Sequence, residues 1–144
     1  MYDRILLPTD GSDAGNPAVE EAIGLAEETG AALHVLFVVE NIPYAPEMMD
    51  DTVETQLYSI GEEAIEGIRE RATQAGIDVE TEIQQGVPHE SILEYAETES
   101  CDLIVMGTHG RSGLDRYLLG SVTERVVRAA DVPVLTVRRA SGAE

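Results

Sequence analysis

The chain contains 144 residues, with 28 acidic against nine basic side chains and a formal net charge of -19 at pH 7. Such a surface repels nucleic acids and anionic membranes, so we expect neither as a partner. The single cysteine, Cys101, excludes an internal disulfide, and its place beside an apolar strand favours a small buried side chain. No apolar run reaches the ~20 residues that span a bilayer and no signal sequence is recognisable, so we expect a cytoplasmic protein.

The basic residues are all arginine, and their distribution is uneven. Residues 101–144 contain six arginines and five acidic residues, whereas residues 1–100 contain three arginines and 23 acidic residues. A phosphate site is therefore favoured in the last third of the chain. The acidic excess elsewhere suggests a halophilic surface, adapted to a salty cytoplasm in which counterions screen the repulsion between carboxylates.

Nine segments alternate between two hydrophobic patterns. Continuous or alternating apolar runs indicate strands, whereas apolar residues three or four positions apart indicate helices. Residues 41–52 interrupt the pattern and predict a surface connection, in which Met48 and Met49 fit either a lid over a ligand or packing beneath a loop. In chain order the segments are a strand at residues 2–8, a helix from Asn16 and Pro17 to Gly30, a strand at 33–39, a helix at 53–75 closed by Gly76, an edge-type strand at 79–85, a helix from Pro88, a strand at 102–106, a helix from Ser121 to about Ala130, and a strand at Val134–Val137.

Strands that alternate with helices predict a parallel sheet with right-handed crossovers and helices on both faces. We predict one doubly wound α/β domain over residues 1–144, with five parallel strands in the order 3-2-1-4-5 and about four helices. Ligands of such sheets bind beyond the carboxyl ends of the strands, where the strand order reverses. If the first and fourth strands flank that point, residues 8–10 and 107–110 face the same crevice.

Glycines punctuate the segment between the fourth strand and the last helix. They allow close approach of a ligand to the main chain, and the first amides of the following helix lack intrahelical partners. These amides and the helix dipole favour an anion such as phosphate. Ser121 followed by Glu124 is also the pattern of a capping box, which predicts Ser121 as the N-cap of the helix.

Other familiar sites are not found in the sequence. A Walker motif is excluded because the chain has no lysine, and no Gly-x-Gly-x-x-Gly motif follows the first strand. No cluster of cysteine and histidine suggests a protein metal site, and no Gly-x-Ser-x-Gly elbow predicts a hydrolase.

The glycines after the fourth strand have a distinctive spacing, in which Gly107 is followed after two residues by Gly110, and after nine more by Gly120 and Ser121. This spacing resembles the ATP-binding signature of the universal stress protein family. The resemblance covers essentially the whole chain, because three further segments share it: Pro8, Thr9 and Asp10 after the first strand, Gly86, Val87 and Pro88 before a helix, and Pro133, Val134 and Leu135 in the last strand.

The resemblance implies an ATP site with Mg²⁺ held by the phosphates rather than by protein ligands. One departure is Phe37, which stands where many members carry a histidine and which changes the packing beside the adenine position. By resemblance, Pro8, Thr9 and Asp10 lie beside adenosine, the backbone of Val38 contacts adenine, Met106 and Gly107 border the ribose, Gly110, Gly120, Ser121 and Val122 hold the phosphates, and His109 and Arg111 lie in the phosphate loop.

Three functions fit these residues. The first is an ATP-binding stress-response or signalling module, acting as a homodimer with little or no turnover, whose nucleotide state alters contact with a protein partner. The second is a slow Mg²⁺-dependent ATP hydrolase, and the third a nucleotide-free dimerisation scaffold, which the glycines disfavour. We expect no catalytic residue, because His109 has no identifiable partner acid. The family resemblance and a short apolar edge both favour pairing of two copies through Val134–Val137.

Overall fold

A computed structural model of the chain describes residues 2–11, 16–40, 51–108 and 120–138. The predicted alternation of strands and helices is confirmed, with boundaries that differ by a few residues. The elements are β1 (Arg4–Thr9), α1 (Pro17–Thr29), β2 (Ala32–Glu40), α2 (Asp51–Gln74), β3 (Val79–Gly86), α3 (Pro88–Thr98), β4 (Leu103–Gly107), α4 (Ser121–Ala129) and β5 (Val134–Val137).

The five strands form one parallel sheet in the order β3-β2-β1-β4-β5, as predicted. In the centre of the sheet, Ile5 of β1 is in register with Leu33 of β2 on one side and Leu103 of β4 on the other. β3 and β5 are the edge strands among the described residues. The alternation of exposed and half-buried positions along β3 agrees with its prediction as an edge strand.

Two hydrophobic cores form because successive side chains of a strand point to opposite faces of the sheet. Ile5 and Leu7 pack under α1 and α2, whereas Leu6 packs under α3 and α4. Cys101 belongs to the second core, as its sequence position predicts, and is 3% exposed. Burial, followed by the neighbouring Glu99 carboxylate, raises the pKa of its thiol to about 11.

Local signals fix most of the helix ends. Asn16 caps α1 by accepting a hydrogen bond from the amide of Ala18 at 2.9 Å, with Pro17 as the first helical residue. Gly30 ends α1 in the left-handed conformation with φ of 78°, and Gly76 has the same φ after α2. No helix in the described ranges is both long and apolar enough to cross a membrane. Met48 and Met49 lie outside the described residues.

Candidate functional site

The strand order reverses between β1 and β4, and a cavity of about 540 Å³ lies at their carboxyl ends. Pockets for small molecules typically have volumes of about 300–1,000 Å³. The lining comes from the ends of β1, β2 and β4 and from all four helices: Leu7, Pro8, Thr9, Asp10, Asn16, Ala18, Val19, Leu36, Phe37, Val38, Val39, Glu40, Leu57, Pro88, Ile92, Met106, Gly107, Gly120, Ser121, Val122 and Thr123.

The cavity brings together nine of the twelve residues that the sequence singled out. The other three, His109, Gly110 and Arg111, lie outside the described residues. The nine come from four separate stretches of the chain that meet only in the folded sheet, namely Pro8, Thr9 and Asp10, then Val38, then Met106 and Gly107, and finally Gly120, Ser121 and Val122.

The amino end of α4 differs from the prediction at one residue. Gly120, not Ser121, is the N-cap, with φ of -64° and ψ of 156°, and Ser121 is the first helical residue. The first intrahelical hydrogen bond runs from the amide of Glu124 to the carbonyl of Gly120 at 2.9 Å. The capping-box prediction is therefore wrong, and no side chain among the described residues caps the amides of residues 121–123.

Hydrogen bonds connect this helix end with the end of β4. The amide of Gly120 donates to the carbonyl of Thr108 at 2.6 Å, and the amide of Thr108 donates to the carbonyl of Val137 at 3.1 Å. The hydroxyl of Thr123, which is 5% exposed, donates to the carbonyl of Gly107 at 2.9 Å. These bonds tie the helix start to the end of β4 at the edge of the cavity, with its free amides beside the ends of the central strands.

The amino end of α1 provides a comparison within the same cavity. There the side chain of Asn16 already accepts from the amide of Ala18, so this helix start is satisfied by the protein itself. At α4 the capping position is a glycine, which has no side-chain acceptor. Of these two helix starts in the cavity, α4 is the one that leaves its donors for a ligand.

Other parts of the cavity lining have different chemistry. Asp10, after β1, and Glu40, at the end of β2, place carboxylates there, while Phe37, Val38 and Met106 contribute apolar surface. After β1 the chain turns at Gly11, with φ of 89° and its amide donating to the Thr9 hydroxyl at 3.3 Å. The lining of the cavity therefore combines apolar surface, carboxylates and helix amides without a side-chain cap.

Sequence reasoning missed several residues of the lining. Thr123 lies in the first turn of α4, where its sequence position gave no sign of a bond back to β4. Glu40 was not singled out, although it follows Val38 by two residues and so emerges at the same strand end. Asn16 was predicted as a helix cap, which is confirmed, but not as a cavity residue.

The fold and the site together define a doubly wound α/β domain with an anion-binding geometry at its switch point. The chain belongs to the universal stress protein family, because the model of the Universal stress protein family matches residues 1–138.

Individual relatives support the same assignment. Universal stress protein MJ0531 of Methanocaldococcus jannaschii is 40% identical over 142 residues, covering 96% of this chain and 84% of that protein. The solved structure of MJ0577, from the same organism, has a TM-score of 0.79 at 32% identity and covers 96% of this chain and 97% of that chain. A universal stress protein solved in complex with cAMP has a TM-score of 0.67 at 30% identity and covers 95% of this chain and 97% of that chain.

Proposed function

We propose that this protein is an adenine-nucleotide-binding module of stress response or signalling, that its ligand is ATP, and that it acts as a homodimer with little or no turnover. The observation that carries the proposal is the uncapped start of α4, whose free amides adjoin a cavity of about 540 Å³ at the switch point of the sheet. A phosphate group satisfies such amides and interacts favourably with the helix dipole.

The mixed lining of the cavity orients the nucleotide. Phosphates fit the amides of Ser121, Val122 and Thr123, because the carboxylates elsewhere in the lining repel them. The ribose hydroxyls and the adenine amino group are hydrogen-bond donors, and they suit Asp10 and Glu40. The apolar surface of Phe37, Val38 and Met106 suits the adenine ring, with His109, Gly110 and Arg111 proposed around the phosphates.

The choice of ATP rests on the glycine spacing and its resemblance to the ATP-binding signature. The relative solved with cAMP supports an adenine nucleotide as the ligand class. Three phosphates make fuller use of a helix start and an adjoining glycine loop than one phosphodiester does. Mg²⁺ would be held by the phosphates, because it retains waters and binds phosphate oxygens readily.

The experiment identifies the nucleotide that the protein carries. Protein purified in molar KCl with Mg²⁺ is denatured, and the released nucleotide is identified by chromatography and absorbance. We expect stoichiometric ATP, which indicates both binding and slow hydrolysis. ADP would favour the slow ATP hydrolase, cAMP or AMP would replace ATP as the ligand, and a protein that neither carries nor binds nucleotide would favour the dimerisation scaffold.

The proposed dimer forms through β5, whose four residues are all half-buried and mostly apolar. The carbonyls of Pro133 and Val137 face β4, where they accept from the amides of Ile104 and Thr108. Because peptide groups alternate in direction along a strand, those of Val134 and Thr136 face the open edge. An edge of this kind pairs with a second copy.

Thr136→Pro tests this interface, because it removes an outward amide and leaves the bonds to β4 in place. We expect light scattering to give a dimer for the wild type and a monomer for this variant, with circular dichroism unchanged. Thr136→Val is the matched control, since it keeps the amide and should remain dimeric. A wild-type monomer across a wide range of salt concentrations contradicts the proposal.

The proposed halophilic surface predicts that stability depends on salt. Glu62, Glu63, Glu66 and Glu70 are all exposed on α2, as their position off the apolar stripe predicts, so they repel one another when counterions are scarce. We expect the thermal midpoint measured by circular dichroism to rise steeply with KCl, and the protein to unfold as KCl is removed. Sucrose should not replace KCl, and full stability in dilute buffer would rule the proposal out.

A further inference from the structure

His34 is a buried histidine that the nucleotide cavity does not use. It lies in β2, is 2% exposed, and points to the face of the sheet that α3 covers. Its Nδ1 atom is 2.8 Å from the hydroxyl of Tyr95 in α3, and the two rings meet edge to face at 5.7 Å. Within the described ranges no second hydrogen bond to the imidazole is found, so one ring nitrogen remains for another partner.

Two carboxylates adjoin this histidine from different elements. Glu80 of β3 is its direct neighbour in the sheet register, and Glu99 follows the last turn of α3. One nitrogen of His34 and one oxygen from each carboxylate all lie within 4.8 Å of one another. Glu80 is exposed and Glu99 half-buried, so the group is closed on the core side and accessible from solvent on the other.

The backbone around Glu99 is held firmly. Its amide donates to the carbonyl of Tyr95 at 2.9 Å, and the guanidinium of Arg4 donates to its carbonyl at 2.9 Å. Ser100 takes the left-handed conformation, with φ of 56°, and Cys101 then bonds back to the carbonyl of Ala96 at 2.9 Å. This helix end matches the Schellman pattern, so Glu99 is presented from a fixed element rather than from a loop.

We propose that His34, Glu80 and Glu99 form a site for a divalent first-row transition-metal ion, with Zn²⁺ as the best fit. One imidazole and two carboxylates supply three ligands and leave a fourth position for water. The imidazole favours Zn²⁺ over Mg²⁺ and Ca²⁺, which select oxygen ligands. Bonds of about 2.0–2.2 Å in tetrahedral geometry place the ligand atoms about 3.3–3.6 Å apart, so metal binding draws these three atoms closer together. The Glu80 side chain is exposed and the Glu99 side chain half-buried.

Tyr95 acts as the positioning residue of this site. Metal-binding histidines use their other ring nitrogen in a hydrogen bond that fixes the tautomer and the ring orientation, as Nδ1 does here with the Tyr95 hydroxyl. Burial, followed by Glu99 and other acidic neighbours, raises the pKa of Tyr95, so this side chain stays a neutral phenol.

The metal site and the nucleotide cavity lie at opposite ends of the sheet. His34 and Glu80 belong to the first halves of their strands and Glu99 to the carboxyl end of α3, whereas the cavity is lined by strand ends and by Pro88 at the start of α3. The site therefore does not depend on the proposed nucleotide, and Gly120→Val should leave it intact.

Calorimetry with Zn²⁺ on the full chain without an added histidine tag tests the site. Molar KCl and excess Mg²⁺ suppress nonspecific binding of Zn²⁺ to surface carboxylates. We expect one Zn²⁺ site per chain. His34→Gln, Glu80→Gln and Glu99→Gln should each weaken Zn²⁺ binding at least tenfold, and Tyr95→Phe about 10- to 100-fold. The matched controls Glu97→Gln, which removes an exposed carboxylate of α3, and His89→Gln should bind as the wild type does.

Spectroscopy separates a metal site from a structural ion pair. Bound Co²⁺ should give a visible absorption spectrum that Zn²⁺ abolishes, and Zn²⁺ should shift the ¹⁵N resonance of Nε2 of His34. The proposal would be overturned if the control variants lost as much Zn²⁺ affinity as the ligand variants, or if no saturable Zn²⁺ site were found. His34 would then be a core histidine facing two carboxylates. Because Glu80 is exposed, Glu80→Gln keeps the test decisive even if His34→Gln fails to fold.

Discussion

Replacement of Gly120 by valine should abolish tight ATP binding while the protein stays folded. Gly120 has φ of -64° and ψ of 156°, which valine adopts without strain. The hydrogen bond from its amide to the carbonyl of Thr108 does not involve a side chain. A β-branched side chain at this position blocks the approach of phosphate to the amides of α4. A lost hydrogen bond to a charged group costs about 1.5–3 kcal/mol, so each lost contact raises the Kd roughly 10- to 150-fold.

Gly120→Ser separates the effect on the ligand from any effect on the fold. A serine at the N-cap accepts a hydrogen bond from one of the next amides of α4 and so competes with phosphate. We expect this variant to bind ATP more weakly than the wild type and yet to melt at an equal or higher temperature. Reduced stability cannot explain that combination.

Calorimetry with ATP and Mg²⁺, alongside thermal melts in molar KCl, measures both quantities. Gly24→Ala serves as the control, because Gly24 lies inside α1 and does not line the cavity. If Gly120→Val binds ATP as tightly as the wild type, the start of α4 is not the phosphate site. The cavity would then need another explanation.

The strands and the topology of the sheet were predictable because they follow from patterns in short stretches of the sequence. Runs such as Ile5 to Leu7 can only be buried on both sides, and alternation of strand and helix leaves few topologies. The residues near the carboxyl ends of the central strands could then be assigned to one crevice. This reasoning and the family resemblance grouped Pro8, Val38, Gly107 and Gly120, and the structure places all four around one cavity.

The features that were predicted wrongly or missed depend on contacts between segments that are far apart in the sequence. The Ser121 and Glu124 pattern fits a helix that starts at either of two neighbouring residues, and the bond from Gly120 to Thr108 decides which one. The contact between His34 and Tyr95 joins residues 61 positions apart, so no spacing rule finds it. For the same reason, a sequence search for clustered cysteine and histidine could not detect the group that His34 forms with Glu80 and Glu99.

Two glycines inside helices should respond in opposite ways to the same substitution. Alanine is favoured over glycine in a helix interior by about 1 kcal/mol. Gly24 of α1 has open space, because a Cβ added there would meet no atom within 4 Å, so Gly24→Ala should stabilise the protein by about that amount. At Gly61 of α2 a Cβ would lie 2.3 Å from Cδ2 of Phe37, so Gly61→Ala should be destabilising.

The cost at Gly61 follows from the packing of Phe37. Its ring is 6% exposed and belongs to the core under α1 and α2, so moving it aside disturbs the packing of that core. Overpacking typically costs about 1–3 kcal/mol. A cost at the upper end of this range outweighs the gain in helix propensity that alanine brings. Because Phe37 also lines the cavity, its displacement should weaken nucleotide binding as well.

A double-mutant cycle shows whether Phe37 is the cause. Phe37→Leu makes room for the new methyl group, so the double variant should lose at least about 1 kcal/mol less stability than the sum of the two single variants. Denaturant unfolding at constant KCl concentration measures the free energy of unfolding of the wild type, the two single variants and the double variant. Additive effects, or a Gly61→Ala variant as stable as Gly24→Ala, would mean that Phe37 does not constrain α2. The favourable coupling we expect would explain why α2 keeps a glycine at a position where helix propensity alone disfavours it.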